Sequence, residues 1–128
     1  MNYLLDTHAA IWLLEGSQQL GARARDALAA EKRDSVAISG ISLLEISMLA
    51  TRGAITLAPT IEVALAQFAE KLSVLPINAR IAALAPSVAL PHGDPFDRVI
   101  TATAKAHELT LITKDRDISR AGVVPILW

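Results

Sequence analysis

Asp6, Glu45, Asp97 and Asp115 are four acids that a folded chain could bring to one place. Oxygen-only donors of this kind suit a hard divalent cation, Mg²⁺ or Mn²⁺, whereas the chain has no cysteine for a thiolate zinc site. Two bare carboxylates ~5 Å apart repel by roughly 3 kcal/mol at an effective dielectric near 20. Four together would raise one another's pKa or splay apart unless a cation joined them. The chemistry open to such a site is the binding of one hard divalent cation by shared carboxylates.

The elements that would carry these acids can be read from the apolar pattern. NYLL (2–5) is a short strand ending at Asp6, and THAAIWLLEG (7–16) a helix stopping near Gly16. GARARDALAAEKR (21–33) repeats its apolar positions at helical spacing. SVAIS (35–39) is a strand, followed by ISLLEISMLATRG (41–53), a helix closed by Gly53. ITL (55–57) reads as a minor strand and TIEVALAQFAEKL (60–72) as an amphipathic helix capped by Thr60. SVLPI (73–77) is a strand and NARIAALA (78–85) a short helix. DPFDRVITATAKAHE (94–108) is a helix of about four turns; LTLIT (109–113) is a buried strand and VVPILW (123–128) a last one. Strands alternating with helices predict a parallel sheet in a three-layer α/β/α domain, and ligands bind outside the carboxyl ends of such strands. Asp6, Glu45 and Asp115 fall on that rim by topology, with Glu45 expected in the first turn of its helix, and Asp97 by packing.

Each acid also has a local structural reading. Asp94, Pro95 and Asp97 make a regular helix start, with cap, first-turn proline and an anion near the amide donors. Ser42-x-x-Glu45 has the form of a capping box. Asp6 can cap Thr7–Ala10, and Asp115 can open a turn in KDRD. Capping and metal binding are compatible, because a carboxylate has two oxygens.

At 128 residues the length fits one domain, 1–128. The net charge of −1 is far from the basic footprint of an ordinary nucleic-acid-binding domain. Gathering four acids in a metal pocket would leave the remainder mildly basic, so a nucleic-acid substrate is neither required nor excluded. Apolar residues make up 52% of the chain, yet no run approaches the ~18 residues of a membrane span, and no basic segment precedes the first apolar run. A cytoplasmic protein with a buried partner surface, most simply that of a homodimer, is the expectation.

LLDTHAAIWLL (4–14), SGISLLEISMLA (39–50), HGDPFDRVITATA (92–104) and LTLITKDRDI (109–118), in this order and spacing, resemble the PIN-domain ribonucleases. The likeness is closest to the VapC toxins of bacterial type II toxin–antitoxin modules and covers nearly the whole chain. It implies a PIN-like α/β/α fold around a central parallel sheet. It also implies an acidic, Mg²⁺- or Mn²⁺-binding cluster at Asp6, Glu45, Asp97 and Asp115, with Asp94 as a helix cap and Asp117 as a possible further acid. The implied activity is an endoribonuclease that attacks phosphorus with a metal-activated water. Thr7 and Thr113 could orient Asp6 or Asp115 as outer hydroxyls. His8, Arg98, Lys114 and Arg116 are candidates for contact with the RNA, though each is also compatible with packing or a solvated surface. Trp12 reads as core before it reads as a base-stacking platform, Trp128 is open to either role, and Phe96 reads as buried. The implied partners are RNA, a VapB-like antitoxin and a second copy of the chain.

Three rivals differ in what they need. A receiver-type phosphoacceptor module wants an acidic pair after the first strand and an acceptor Asp after a central one, but Asp6 stands alone and SVLPI is followed by Asn78. A haloacid-dehalogenase-like phosphatase needs a second acid two residues after Asp6, where His8 stands. A PIN fold kept only for binding would not need all four acids.

Overall fold

The apolar runs that alternate with helices form one sheet, and its strands run in parallel. The computed structural model describes residues 1–128 apart from the side chain of Arg33. Strands β1 (Tyr3–Leu5), β2 (Val36–Ser39), β3 (Ser73–Leu75), β4 (Thr110–Ile112) and β5 (Ile126–Leu127) lie in the order β3-β2-β1-β4-β5. Leu5 pairs with Ile38 on one side and Ile112 on the other; Leu4 pairs with Ala37 and Leu111. All six are fully buried, as strands covered on both faces require.

Side chains alternate across a strand, so this register divides the core in two. Leu5, Ile38 and Ile112 face a layer with Ala9, Ala10, Ile46 and Phe68. These belong to helices α1 (Thr7–Glu15), α3 (Gly40–Thr51) and α4 (Ile61–Lys71); α2 (Ala22–Ala29) joins the same layer through Ala24 and Leu28. Leu4, Ala37 and Leu111 face Ile81, Ile100 and Ile118 of α5 (Ala79–Leu84), α6 (Pro95–Ala106) and α7 (Arg116–Ala121). The expected three-layer α/β/α arrangement is the one observed.

The chain winds outward from β1 through β2 to β3, then returns to place β4 on the other side of β1. The strand order therefore reverses between β1 and β4. In open parallel sheets the crevice at such a reversal, at the carboxyl ends, is where ligands bind. Asp6 ends β1 and Thr113-Lys114-Asp115 follows β4, so both segments open on this crevice.

Most helix boundaries follow from capping chemistry. Thr60, Asn78 and Asp94 accept the amides of Val63 (3.1 Å), Ile81 (2.9 Å) and Phe96 (2.9 Å). Gly16 ends α1 at φ 66°, a left-handed conformation that a side chain would strain. Three local expectations need correction. Residues 55–57 form no strand. Ser42 is not a cap: α3 starts a turn earlier, capped by Ser39 onto the Ile41 amide at 3.3 Å. Glu45 therefore lies in the second turn of α3, free of any capping box. The KDRD segment opens α7 rather than a simple turn, because Asp115 accepts two amides at its start.

Candidate active site

Six carboxylates converge on an open cleft of about 580 Å³ at the carboxyl edge of the sheet: Asp6, Glu45, Asp94, Asp97, Asp115 and Asp117. Asp6 caps α1, its Oδ1 accepting the Ala9 amide at 2.8 Å. Asp115 caps α7 in the same way, with Oδ1 accepting from Asp117 N at 2.8 Å and Ile118 N at 3.1 Å. Each cap occupies one oxygen and leaves the other for the cleft. Asp97 is the third residue of α6, where the helix dipole favours an anion. Asp94 is the α6 cap, as its sequence position implies, but it also lines the cleft and adds its charge to the cluster.

Two buried threonines hold these acids, with a different division of labour from the expected one. Thr113 is 1% exposed; its Oγ1 accepts the Asp115 amide at 3.1 Å, and its hydroxyl also bonds the Asp6 side chain. It therefore links the two acids that flank the β1–β4 crevice. Thr7 serves neither Asp6 nor Asp115: its hydroxyl donates to Glu45 Oε1. A hydroxyl has one proton, so Ser42 Oγ, 3.2 Å away, completes the chain by donating to Thr7. Burial of Ser42 is explained by this contact rather than by capping.

The electrostatics follow from crowding. Asp97 is pushed up to about 7, first by burial and then by the charges of Asp94, Asp115, Glu45 and Asp6. Glu45 is raised by burial, against the Thr7 hydrogen bond that favours its ionised form. Asp6 is raised by burial, opposed by Thr113 and the Ala9 amide. Three of the four expected ligands thus share one condition: their charges lack a counter-ion. A divalent cation is the group that would relieve all three at once, and the oxygen donors suit a hard one. Two triads on the same cleft, neither of which includes Asp6 or Glu45, have the spacing of metal ligands. His92, Asp94 and Asp97 each offer a ligand atom within 4.8 Å of the others, as do His92, Asp115 and Asp117.

His92 is the functional candidate that residue patterns missed. Its Nε2 lies 3.8 Å from Asp97 Oδ2 and 3.9 Å from Asp117 Oδ2, while Nδ1 accepts the Asp94 amide at 3.3 Å. An accepting Nδ1 puts the proton of the neutral ring on Nε2, facing the carboxylates. The available signal was its place two residues before the α6 cap.

Of the basic candidates, Lys114 and Arg116 line the cleft, as does His8. Arg98 does not. Its Nη2 donates to the His92 carbonyl at 3.4 Å, and its side chain lines an apolar hollow with Ile77, Pro86 and Val99. It braces the loop that carries His92 instead of facing the acids. Trp12, read first as core, packs against the core and also lines the cleft. Phe96 is half-buried.

A family model described as PIN domain matches residues 3–124. A curated relative, Ribonuclease VapC22 of Mycobacterium tuberculosis, is 41% identical over 116 residues, covering 88% of this chain and 86% of its own. The structure is similar to that of FitAcB from Neisseria gonorrhoeae, at a TM-score of 0.67 and 26% identity, over 98% of this chain and 96% of that one. A toxin–antitoxin complex from Klebsiella pneumoniae contains a chain of the same fold, at a TM-score of 0.69 and 24% identity, with 99% and 97% covered. With the fold, the acids at its strand switch and these relatives in agreement, the chain belongs to the PIN-domain family.

Proposed function

We propose that this chain is a metal-dependent endoribonuclease, the toxin of a type II toxin–antitoxin pair, and that Asp6, Glu45, Asp97 and Asp115 hold its Mg²⁺ or Mn²⁺. The observation that carries the reading is the convergence of these acids on the crevice where the strand order reverses, with Asp6, Glu45 and Asp97 raised in proton affinity. The 41% identity to a ribonuclease supports the substrate class.

A bound divalent cation supplies an activated water and counter-charge for the scissile phosphate. The chain's own residues prepare its place. Asp6 and Asp115 are fixed by helix amides and by Thr113, Glu45 by Thr7, and Asp97 by its first-turn position. Asp117 is a further acid on the same wall. Lys114 and Arg116 lie on the rim, where they can meet backbone phosphates, and His8 is exposed beside them. The neutralised acids and these cations together turn a repulsive cleft into one that accepts a polyanion.

The same reading makes residues 1–128 one PIN domain in the cytoplasm, with a VapB-like antitoxin as its partner and a second copy as its mate. Among the described residues, no helix is long and apolar enough to cross a membrane. Leu44 and Met48 on α3 and Val63 on α4 are exposed by 56%, 44% and 43%, which supports a protein partner on that side. The rival of a silent binding module has no observation in its favour, since the full acid set is assembled.

Incubating the purified chain with labelled single-stranded RNA in Mg²⁺, Mn²⁺ or EDTA tests the proposal. Cleavage that needs metal and vanishes in Asp97→Asn is the expected result. Equal cleavage by Asp97→Asn would remove that residue from the site. No cleavage with any metal by a folded, antitoxin-free chain would favour the binding module.

A further inference from the structure

Beside the carboxylates, the cleft has a second wall made of rings. His8 and Trp12 stand four residues apart on α1, on the side turned from the buried Ala9, Ala10 and Ile11. Both line the cleft. Their ring centroids are 5.5 Å apart and the planes are inclined by 50°. Trp128 meets Trp12 edge-on from behind, at 5.8 Å and 64°. The brace is closely fitted, because a Cβ on Gly21 would lie 2.6 Å from the Trp128 main chain. Only glycine lets the last strand settle there and hold Trp12 in place.

Lys114 lies across this wall. Its Nζ is 5.0 Å from the centre of the Trp12 ring, and the side chain is exposed. A cation on an exposed ring face is weakly held. It covers the surface that a flat, electron-rich partner would otherwise occupy, and it has a better partner whenever a phosphate enters the cleft. The neighbouring residue on one side is Thr113, which holds Asp6; on the other it is Asp115 itself. The ring wall and the acids thus line the same cleft, and one short segment, 113–115, touches both.

We propose that Trp12, braced by Trp128 and flanked by His8, is a stacking platform for one unpaired nucleobase next to the scissile phosphate, with Lys114 moving from the ring to the RNA backbone. This inference rests on the ribonuclease reading and narrows it. The substrate must present at least one base free of its helix at a fixed offset from the cut, so a continuous duplex is excluded from the cleft. Stacking is tolerant of sequence, so the platform selects for an unpaired base more than for its identity.

A base-removal scan tests this. RNA oligonucleotides carrying a single abasic site at each position around the cut are cleaved by the wild type, Trp12→Phe and Trp12→Leu, and kcat/KM is measured for each pair. The wild type should lose about tenfold at one position only. Trp12→Phe should keep most of that penalty and Trp12→Leu should lose it, so that the intact and abasic RNAs become equivalent. Circular dichroism checks that the variants are folded, and the scan on the wild type stands even if Trp12→Leu is not. A wild type indifferent to base removal at every position, or equal penalties in all three proteins, would assign the rings to packing or to a protein partner and overturn the proposal, leaving the ribonuclease intact. Failure of every protein to cleave any RNA would overturn both.

Discussion

The two edges of the sheet treat carboxylates in opposite ways. At the amino edge, Glu31 accepts from Asn2 Nδ2 at 3.2 Å and from the Ser35 hydroxyl at 2.8 Å. These hydrogen bonds, Ser35 first, hold its pKa below the ordinary value. At the carboxyl edge, Asp6, Glu45 and Asp97 are raised by burial, and five acids act on one another there. The donors at the amino edge satisfy a charge that is already stable. Those at the carboxyl edge, Thr7, Thr113 and three helix starts, orient charges that remain in excess. An edge built for stability alone would resemble the first; the second stores a demand for a cation.

Breaking that contrast should cost most at its centre. Asp97→Asn removes a carboxylate from the cluster itself, so metal-dependent cleavage should fall by more than the roughly 10–100-fold typical of losing an outer hydrogen-bond partner. Single-turnover cleavage of labelled RNA reads this. Thr7→Val keeps shape but removes the hydroxyl that holds Glu45. Metal affinity, measured by calorimetric titration, should weaken by about 10–100-fold. An unchanged affinity would mean that Glu45 is held by packing alone.

A subtler effect is the pH dependence of the metal-free fold. Asp97 titrates near 3.9 when unfolded and about 7 when folded. Between those values the native state binds more protons than the unfolded one, so stability falls as pH rises through this window. The melting temperature without metal should therefore be lower at pH 8 than at pH 5.5, and Mg²⁺ should recover the difference at pH 8. Glu31 acts in the opposite sense, stability being lost as pH falls through its depressed pKa. The smallest effect belongs to the amino edge: Glu31→Gln should leave cleavage unchanged and shift the melting temperature barely measurably. A loss of cleavage there would erase the distinction between the edges.

Much of this contrast was legible in the residues because parallel sheets leave few choices. Leu4 and Leu5 must be buried on opposite faces, and a strand followed by a helix must put Asp6 at the carboxyl edge. The HGDPFDR stretch declared both its cap and its first-turn acid for the same reason: Pro95 fixes the helix start, and the positions count from there. Side-chain partnerships across the fold were not legible. Ser42-x-x-Glu45 looks like a cap, but Gly40 already begins the helix, and Glu45 turns instead to Thr7, 38 residues away in the chain. The same limit hid His92, whose value lies in facing Asp97 and Asp117 from a loop. Arg98 was misplaced because neighbours in a helix point to different faces: Asp97 meets the cleft while Arg98 braces the loop behind it. Short α7 was missed because KDRD carries no apolar stripe before Ile118.

The proposed site requires a carboxylate cluster that exchanges protons for a divalent cation. Titrating Mg²⁺ or Mn²⁺ calorimetrically at pH 7, in two buffers with different heats of ionisation, measures it directly. With Asp97 at about 7, binding should release protons, so the apparent heats in the two buffers should differ. Asp97→Asn should bind weakly and release fewer. Binding with identical heats in both buffers, or no binding by the folded wild type, would contradict the account.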